Sequence, residues 1–281
     1  MQVEISPTAL SIPTRSGIHI NAWDHGGSGT PLELSHCTGT HGRIWDPLVP
    51  TLLEHFHVYA WDTRGHGDSD KPSDLDQYTW RLSGEDVVDV YNALGFSSGI
   101  RAIGHSAGAA HLCYAELMRP GVVSKAILID PIISPPVGDQ RENPLAIAAA
   151  KRRRHFDSKQ AAIDNYASKP PMNAWTPETL RAYVEFGFND LPDGRIELKC
   201  LPEIESAVYA RGGSNDIFDR LGEVTFDVTL VTSDNSNLRF MPLMQKDLFP
   251  SPDFHDLEGP SHFIPQEIPN EILDLALAKL R

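Results

Sequence analysis

Gly104-His105-Ser106-Ala107-Gly108 is the pattern in this chain best suited to chemistry. A short apolar run, Ile100 to Ile103, precedes it, and a run of small residues from about Ala107 to Arg119 follows it. The first predicts a buried strand and the second a helix, stopped by Pro120-Gly121. A serine on so sharp a strand-to-helix turn is held in a strained backbone, and its hydroxyl projects from the end of the sheet. Glycines two residues to either side let neighbouring elements approach without a Cβ clash. The N-terminus of the following helix favours negative charge, as on a carbonyl oxygen under attack. The chemistry expected is therefore nucleophilic attack by Ser106 on a carbonyl carbon.

A serine hydroxyl needs a base, because it is almost wholly protonated at neutral pH. Of the 12 histidines, His262 is the best placed, in Gly259-Pro260-Ser261-His262-Phe263, between the last strand-like run and the final helix. An order of serine, acid and then histidine along the chain puts the base there. His105 is expected to point away from the serine and pack. His55, His57, His111, His155 and His255 have no motif context and read as solvated or core residues. No H-x-x-x-H or H-x-H pair has a carboxylate partner in a metal-site arrangement, so neither a metal nor another cofactor is expected.

The surrounding elements alternate. Ile18 to Trp23 and Pro31 to Ser35 read as strands, and Asp46-Pro47 as a helix start ahead of Leu48, Val49, Leu52 and Leu53. His57 to Trp61 is a buried strand, and Asp62 to Asp70 a polar, glycine-rich loop. Val87, Val88, Val90, Tyr91 and Leu94 recur at helical spacing, with Gly95 at the cap position. Lys125 to Ile129 is another strand. From about Ile133 to Val224 strand-like runs vanish and helix starts appear at Asn143-Pro144, Ser158, Thr176-Pro177 and Pro202. Strands resume with Phe226 to Thr232 and Asp253 to Leu257, before a last helix from about Asn270. The alternation predicts a parallel sheet covered by helices on both faces. Residues 1–132 and 226–281 are expected to form its core, and residues 133–225 a helical lid inserted into it.

Taken in order, these motifs resemble those of the α/β-hydrolases over nearly the whole chain. His36-Cys37-Thr38-Gly39 stands where that family has its His-Gly oxyanion loop, and Arg64-Gly65-His66-Gly67-Asp68-Ser69 resembles its loop after the fourth strand. Residues 104–108 match its nucleophile elbow, and His262 its catalytic histidine. The resemblance implies a mostly parallel, eight-stranded sheet. It also implies an oxyanion hole built from the backbone N–H groups of Ala107 and Thr38, donors indifferent to Cys37 standing where glycine is usual. The family commonly carries its acid after the penultimate strand, where this chain has Ser236, with Asp234 two residues early. Some relatives place it after the strand that follows the nucleophile helix, and Asp130 in Leu128-Ile129-Asp130-Pro131 holds that position. Asp130 is thus the first candidate and Asp234 the alternative. Serine at position 106 argues against the haloalkane dehalogenase and epoxide hydrolase branches, which use aspartate there.

The expected activity is hydrolysis of a small-molecule ester or lactone. The same triad leaves open C–C bond hydrolysis, cofactor-free perhydrolysis, or a non-catalytic protein that binds a small molecule. Lys151-Arg152-Arg153-Arg154 reads most simply as a solvated helix face. The aromatic residues Phe156, Tyr166, Trp175, Tyr183, Phe186 and Phe188 read as lid core, some of them lining a pocket.

Composition narrows the setting. Acidic residues outnumber basic ones 38 to 24 in 281, giving a net charge of −14, which argues against nucleic-acid partners and anionic membrane surfaces. No apolar run reaches the roughly 18 residues of a membrane helix. Met1-Gln2-Val3-Glu4 has no positive charge followed by an apolar block, so a secretory signal is not expected, and three cysteines without C-x-x-C spacing fit a reducing cytoplasm. A homodimer is compatible with all of this.

Overall fold

The computed structural model describes residues 6–136, 143–212 and 216–281. The segment Met1–Glu4 and parts of 133–225 therefore lie outside the described residues. β1 (Thr8–Pro13) and β2 (His19–Gly26) form an antiparallel pair with Ile12 opposite Ile20. β3 (Thr30–Ser35) follows, then a 3₁₀ turn at Gly42–Trp45 and the short α1 (Val49–Leu52). Asp46 does not cap that helix as its sequence suggests. Arg43 Nε holds both of its carboxylate oxygens at 2.8 Å, and the helix begins three residues later. β4 (Phe56–Trp61) leads through the polar loop to α2 (Trp80–Ala93), where the Thr79 hydroxyl accepts from Leu82 N and Gly95 takes a φ of 72° beyond the C-terminus. β5 (Ile100–His105), α3 (Ala107–Met118) and β6 (Val123–Ile129) complete the first half.

Between β6 and the next long strand the chain makes α4 (Pro144–Ala150), β7 (His155–Phe156), α5 (Lys159–Ala167), α6 (Pro177–Phe186), β8 (Phe188–Asp190), β9 (Ile196–Leu198) and α7 (Pro202–Arg211). The expected helix starts all appear. Asn143, Ser158 and Thr176 accept from the backbone N–H groups of Leu145, Ala161 and Thr179, and α7 opens on Pro202. The segment is not wholly helical, however. β7, β9 and β8 pair as a separate three-stranded antiparallel sheet, in strands of two or three residues that are too short to show a period.

β10 (Asp227–Ser233) then returns beside β6, with Val231 opposite Ile129, followed by α8 (Phe240–Gln245), β11 (Asp253–Leu257), α9 (Ile264–Glu267) and α10 (Pro269–Leu280). The main sheet has eight strands in the order β1-β2-β4-β3-β5-β6-β10-β11, parallel from β4 onward and antiparallel at β1 and β2. Helices α2 and α3 cover one face, with Tyr91, Leu112 and Ala126 in its core. Helices α1 and α10 cover the other, with Ile127, Ile129 and Ile272 buried there. Because β4 and β5 flank β3 on opposite sides, the chain leaves β3 and β5 in opposite directions. That divergence opens a crevice at their carboxyl ends, the place where α/β sheets bind ligands.

Candidate active site

Ser106 sits at that crevice, between β5 and α3, with φ 57° and ψ −115°. Non-glycine residues rarely hold such a backbone, and the surroundings fix it here. Ser106 N donates to Ile129 O at 2.8 Å. A methyl at Gly108 would stand 2.3 Å from Ser35 O, and one at Gly104 would stand 2.7 Å from Ala109 Cα, so both glycines answer a close approach of backbones.

His262, in the loop between β11 and α9, reaches Ser106 Oγ with Nε2 at 2.9 Å and Asp130 Oδ2 with Nδ1 at 2.5 Å. A carboxylate only accepts, so Nδ1–H faces Asp130 and Nε2 is left to accept from the serine hydroxyl. Asp130 leaves the end of β6 at φ 45°, fully buried, with its N–H donating to Val231 O at 2.7 Å. Thr232 Oγ1 donates to its Oδ1 at 2.6 Å and Ser236 Oγ to its Oδ2 at 2.5 Å. Burial pushes this carboxyl up, but hydrogen bonds from His262, Ser236 and Thr232 outweigh burial and hold it below the ordinary carboxylate range.

The alternative acid is elsewhere. Asp234 is exposed and accepts from Gly259 N at 2.9 Å, which ties the loop after β10 to the loop that carries His262. Ser233 Oγ donates to Pro260 O at 2.5 Å in the same tie. His105 also does more than pack. Its Nε2 donates to His262 O at 2.9 Å, with the two rings 5.0 Å apart, so it holds the histidine loop from below. Burial, and then the neighbouring His262, lower its pKa to about 3, which leaves it neutral.

Thr38 and Ala107 leave the sheet at matched points. Ser35 of β3 pairs with Gly104 of β5, and Thr38 and Ala107 lie three residues beyond them. Ala107 is the first residue of α3, where N–H groups have no intrahelical acceptor. The Thr38 loop is held by two neutral histidines. His66 Nε2 accepts from Gly39 N at 3.0 Å while its Nδ1 donates to Arg64 O. His36 Nε2 accepts from Thr63 N at 3.0 Å while its Nδ1 donates to Cys37 O. The Arg64 guanidinium is itself buried against Asp86, with two contacts of 2.7 Å.

Arg152 departs from its expected solvated face. It follows α4 and turns inward, pairing with the buried Glu205 and donating to Tyr183 Oη at 2.5 Å. A methyl at Gly39 would stand 2.7 Å from Glu205 Oε1, so this pair lies against the Thr38 loop. His41 Nε2 donates to Tyr183 O at 3.1 Å from the same loop. Only the pairing across distant sequence distinguishes Arg152 from its exposed neighbours Lys151 and Arg153.

Ser106 and His262 open into a cavity of about 850 Å³ between the sheet and the β6–β10 segment. Cys37, Cys113 and Cys200 are free and buried. Burial pushes the Cys37 thiol up to about 12, so it is no nucleophile at neutral pH. Among the described residues no three His, Cys, Asp or Glu side chains gather as a metal site, and no helix is long and apolar enough to cross a membrane.

The chain belongs to the alpha/beta hydrolase family, whose sequence model matches residues 34–275. It is similar to 2-(acetamidomethylene)succinate hydrolase of Mesorhizobium japonicum, 26% identical over 212 residues that cover 75% of this chain and 73% of that one. It is also similar to a soluble epoxide hydrolase of a Corynebacterium species, 27% identical over 273 residues that cover 89% and 90%. Among solved structures, that of E-2-(acetamidomethylene)succinate hydrolase superposes with a TM-score of 0.83 at 22% identity, over 98% of this chain and 99% of that one. At that identity the likeness speaks for the fold alone.

Proposed function

We propose that this protein is a serine hydrolase that cleaves a small carboxylic ester or lactone through an acyl-enzyme intermediate. The observation that carries the reading is the hydrogen-bonded line from Ser106 through His262 to Asp130, opening on a cavity. Ser106 Oγ attacks the carbonyl carbon while His262 Nε2 takes its proton, and Asp130 stabilises the imidazolium. Negative charge on the carbonyl oxygen meets the N–H group of Ala107 at the start of α3 and that of Thr38 in the loop after β3. The C–O bond then breaks, His262 returns the proton to the leaving oxygen, and water repeats the sequence to release the acid and restore Ser106.

Residues 133–225 act in this reading as a lid over residues 1–132 and 226–281. The succinate in the name of the similar Mesorhizobium enzyme is not carried over, because no Lys or Arg lines this cavity among the described residues. Three free cysteines fit work in a reducing cytoplasm. The test is turnover of 4-nitrophenyl acetate and butanoate by the wild type and by Ser106→Ala. The variant is expected to lose on the order of 10⁴ to 10⁶ in rate with its fold intact. Retained turnover would remove Ser106 from the mechanism.

A further inference from the structure

We infer that the acyl side of the substrate is an uncharged apolar chain of about six to eight carbons, and that exposed side chains at the cavity mouth bind its outer half. This deepens the serine hydrolase reading and rests on it. Three observations converge. The described wall of the cavity that Ser106 opens into is mostly apolar, with Trp80, Ile132, Leu238, Met241 and Phe263 among its residues. Its polar members are amides, hydroxyls and His262, and none of its described residues is a lysine, arginine, aspartate or glutamate. Among the described residues a carboxylate entering here would find no cation to replace the water it loses.

The mouth supplies the third observation. Five large hydrophobic residues are exposed among the described ones, and three of them, Leu145, Phe240 and Met244, line this cavity. They come from α4 and α8, on two separate parts of the chain. Phe240 is 53% exposed, far more than packing against the fold requires. Apolar groups held at the rim of an apolar cavity gain cover when a chain passes over them. A volume of about 850 Å³ is within the range that encloses most of a drug-sized molecule, so a two-carbon acyl group would leave much of it unused.

The experiment measures kcat/KM for 4-nitrophenyl esters from acetate to dodecanoate. It adds mono-4-nitrophenyl adipate, which matches the hexanoate in chain length but ends in a carboxylate. Values should rise about fourfold per methylene, the rate equivalent of burying one, as far as hexanoate or octanoate. Hexanoate should exceed the adipate by at least about 100-fold. Phe240→Ser and Met244→Ser, both at exposed positions, should each lower the octanoate-to-acetate ratio at least about threefold. A flat or falling series, or an adipate turned over as well as the hexanoate, overturns the inference. Labelling of Ser106 by a fluorophosphonate separates the two readings. Labelled enzyme with a flat series keeps the hydrolase and discards the apolar chain, whereas no labelling and no turnover discards both.

Discussion

Ser236 Oγ donates to Oδ2 of Asp130 at 2.5 Å, the same oxygen that meets Nδ1 of His262. The residue standing where the family commonly has its acid therefore supports an acid that arrives from another strand. Asp130 reaches His262 from the end of β6, and β10 lies beside β6, so the two stations are neighbours across one strand pair.

Asp130→Asn is expected to lower kcat by roughly 10⁴, because the amide favours the wrong imidazole tautomer. Asp234→Asn is expected to cost less than about tenfold, since Asp234 holds Gly259 and not the ring. Steady-state kinetics on one 4-nitrophenyl ester ranks the two, and the reverse order would put the acid at Asp234.

Ser236→Ala removes one of three donors to Asp130. A hydrogen bond to a charged group contributes about 1.5–3 kcal/mol, so kcat should fall roughly tenfold to a hundredfold, well short of the loss in Asp130→Asn. Ser236→Thr keeps the hydroxyl and should recover most of it. Equal activity in wild type and Ser236→Ala would show that Thr232 alone orients the acid.

Stability should fall as the solution is acidified from about pH 6.5 to 4.5. Burial lowers the pKa of six histidines: His25 and His41 to about 4, His105 and His111 to about 3, and His36 and His66 also below the ordinary value. In this window the unfolded chain binds the protons first, near pH 6.5, so each histidine withdraws up to about 1.4 kcal/mol of stability per pH unit. Glu33, pushed up to about 8 by burial, and Asp86, pushed up to about 6, work the other way because they are protonated first in the folded state. The Asp46 carboxyl, also raised by burial, joins them, and six groups against three leave the histidines dominant. Urea unfolding midpoints at pH 7, 6 and 5 test this, and a constant midpoint would contradict it.

Arg152→Met leaves Glu205 buried without its cation and is expected to destabilise the fold by about 3–5 kcal/mol. Adding Glu205→Leu removes the stranded charge and should restore much of that loss. A single variant as stable as wild type in denaturant would mean that the pair is solvated.

The legible parts of this chain are those whose signals are local. Asn143, Ser158 and Thr176 each announce a helix because the capping oxygen and the N–H it binds lie within three residues. Ser106 reads clearly because both glycines and both flanking elements are contiguous with it. Asp130 is harder to place because its claim depends on the pairing of β6 with β10, across a long intervening segment. Asp46 carries a cap signature that Arg43 overrides with a salt bridge. Arg152 looks like one of four solvated cations until the chain brings Glu205 beneath it. His105 looks like packing because its partner is a backbone carbonyl, which no side-chain pattern reports.

The Arg152–Glu205 pair against Gly39 and the bond from His41 to Tyr183 have a mechanical consequence. They tie Arg152 after α4, Tyr183 of α6 and Glu205 of α7 to the loop that holds Thr38. Drawing these helices away from the sheet would break a buried ion pair and pull on the Thr38 loop together. In the serine hydrolase reading proposed above, substrate passes between α4 and α8, beside the exposed Leu145, Phe240 and Met244.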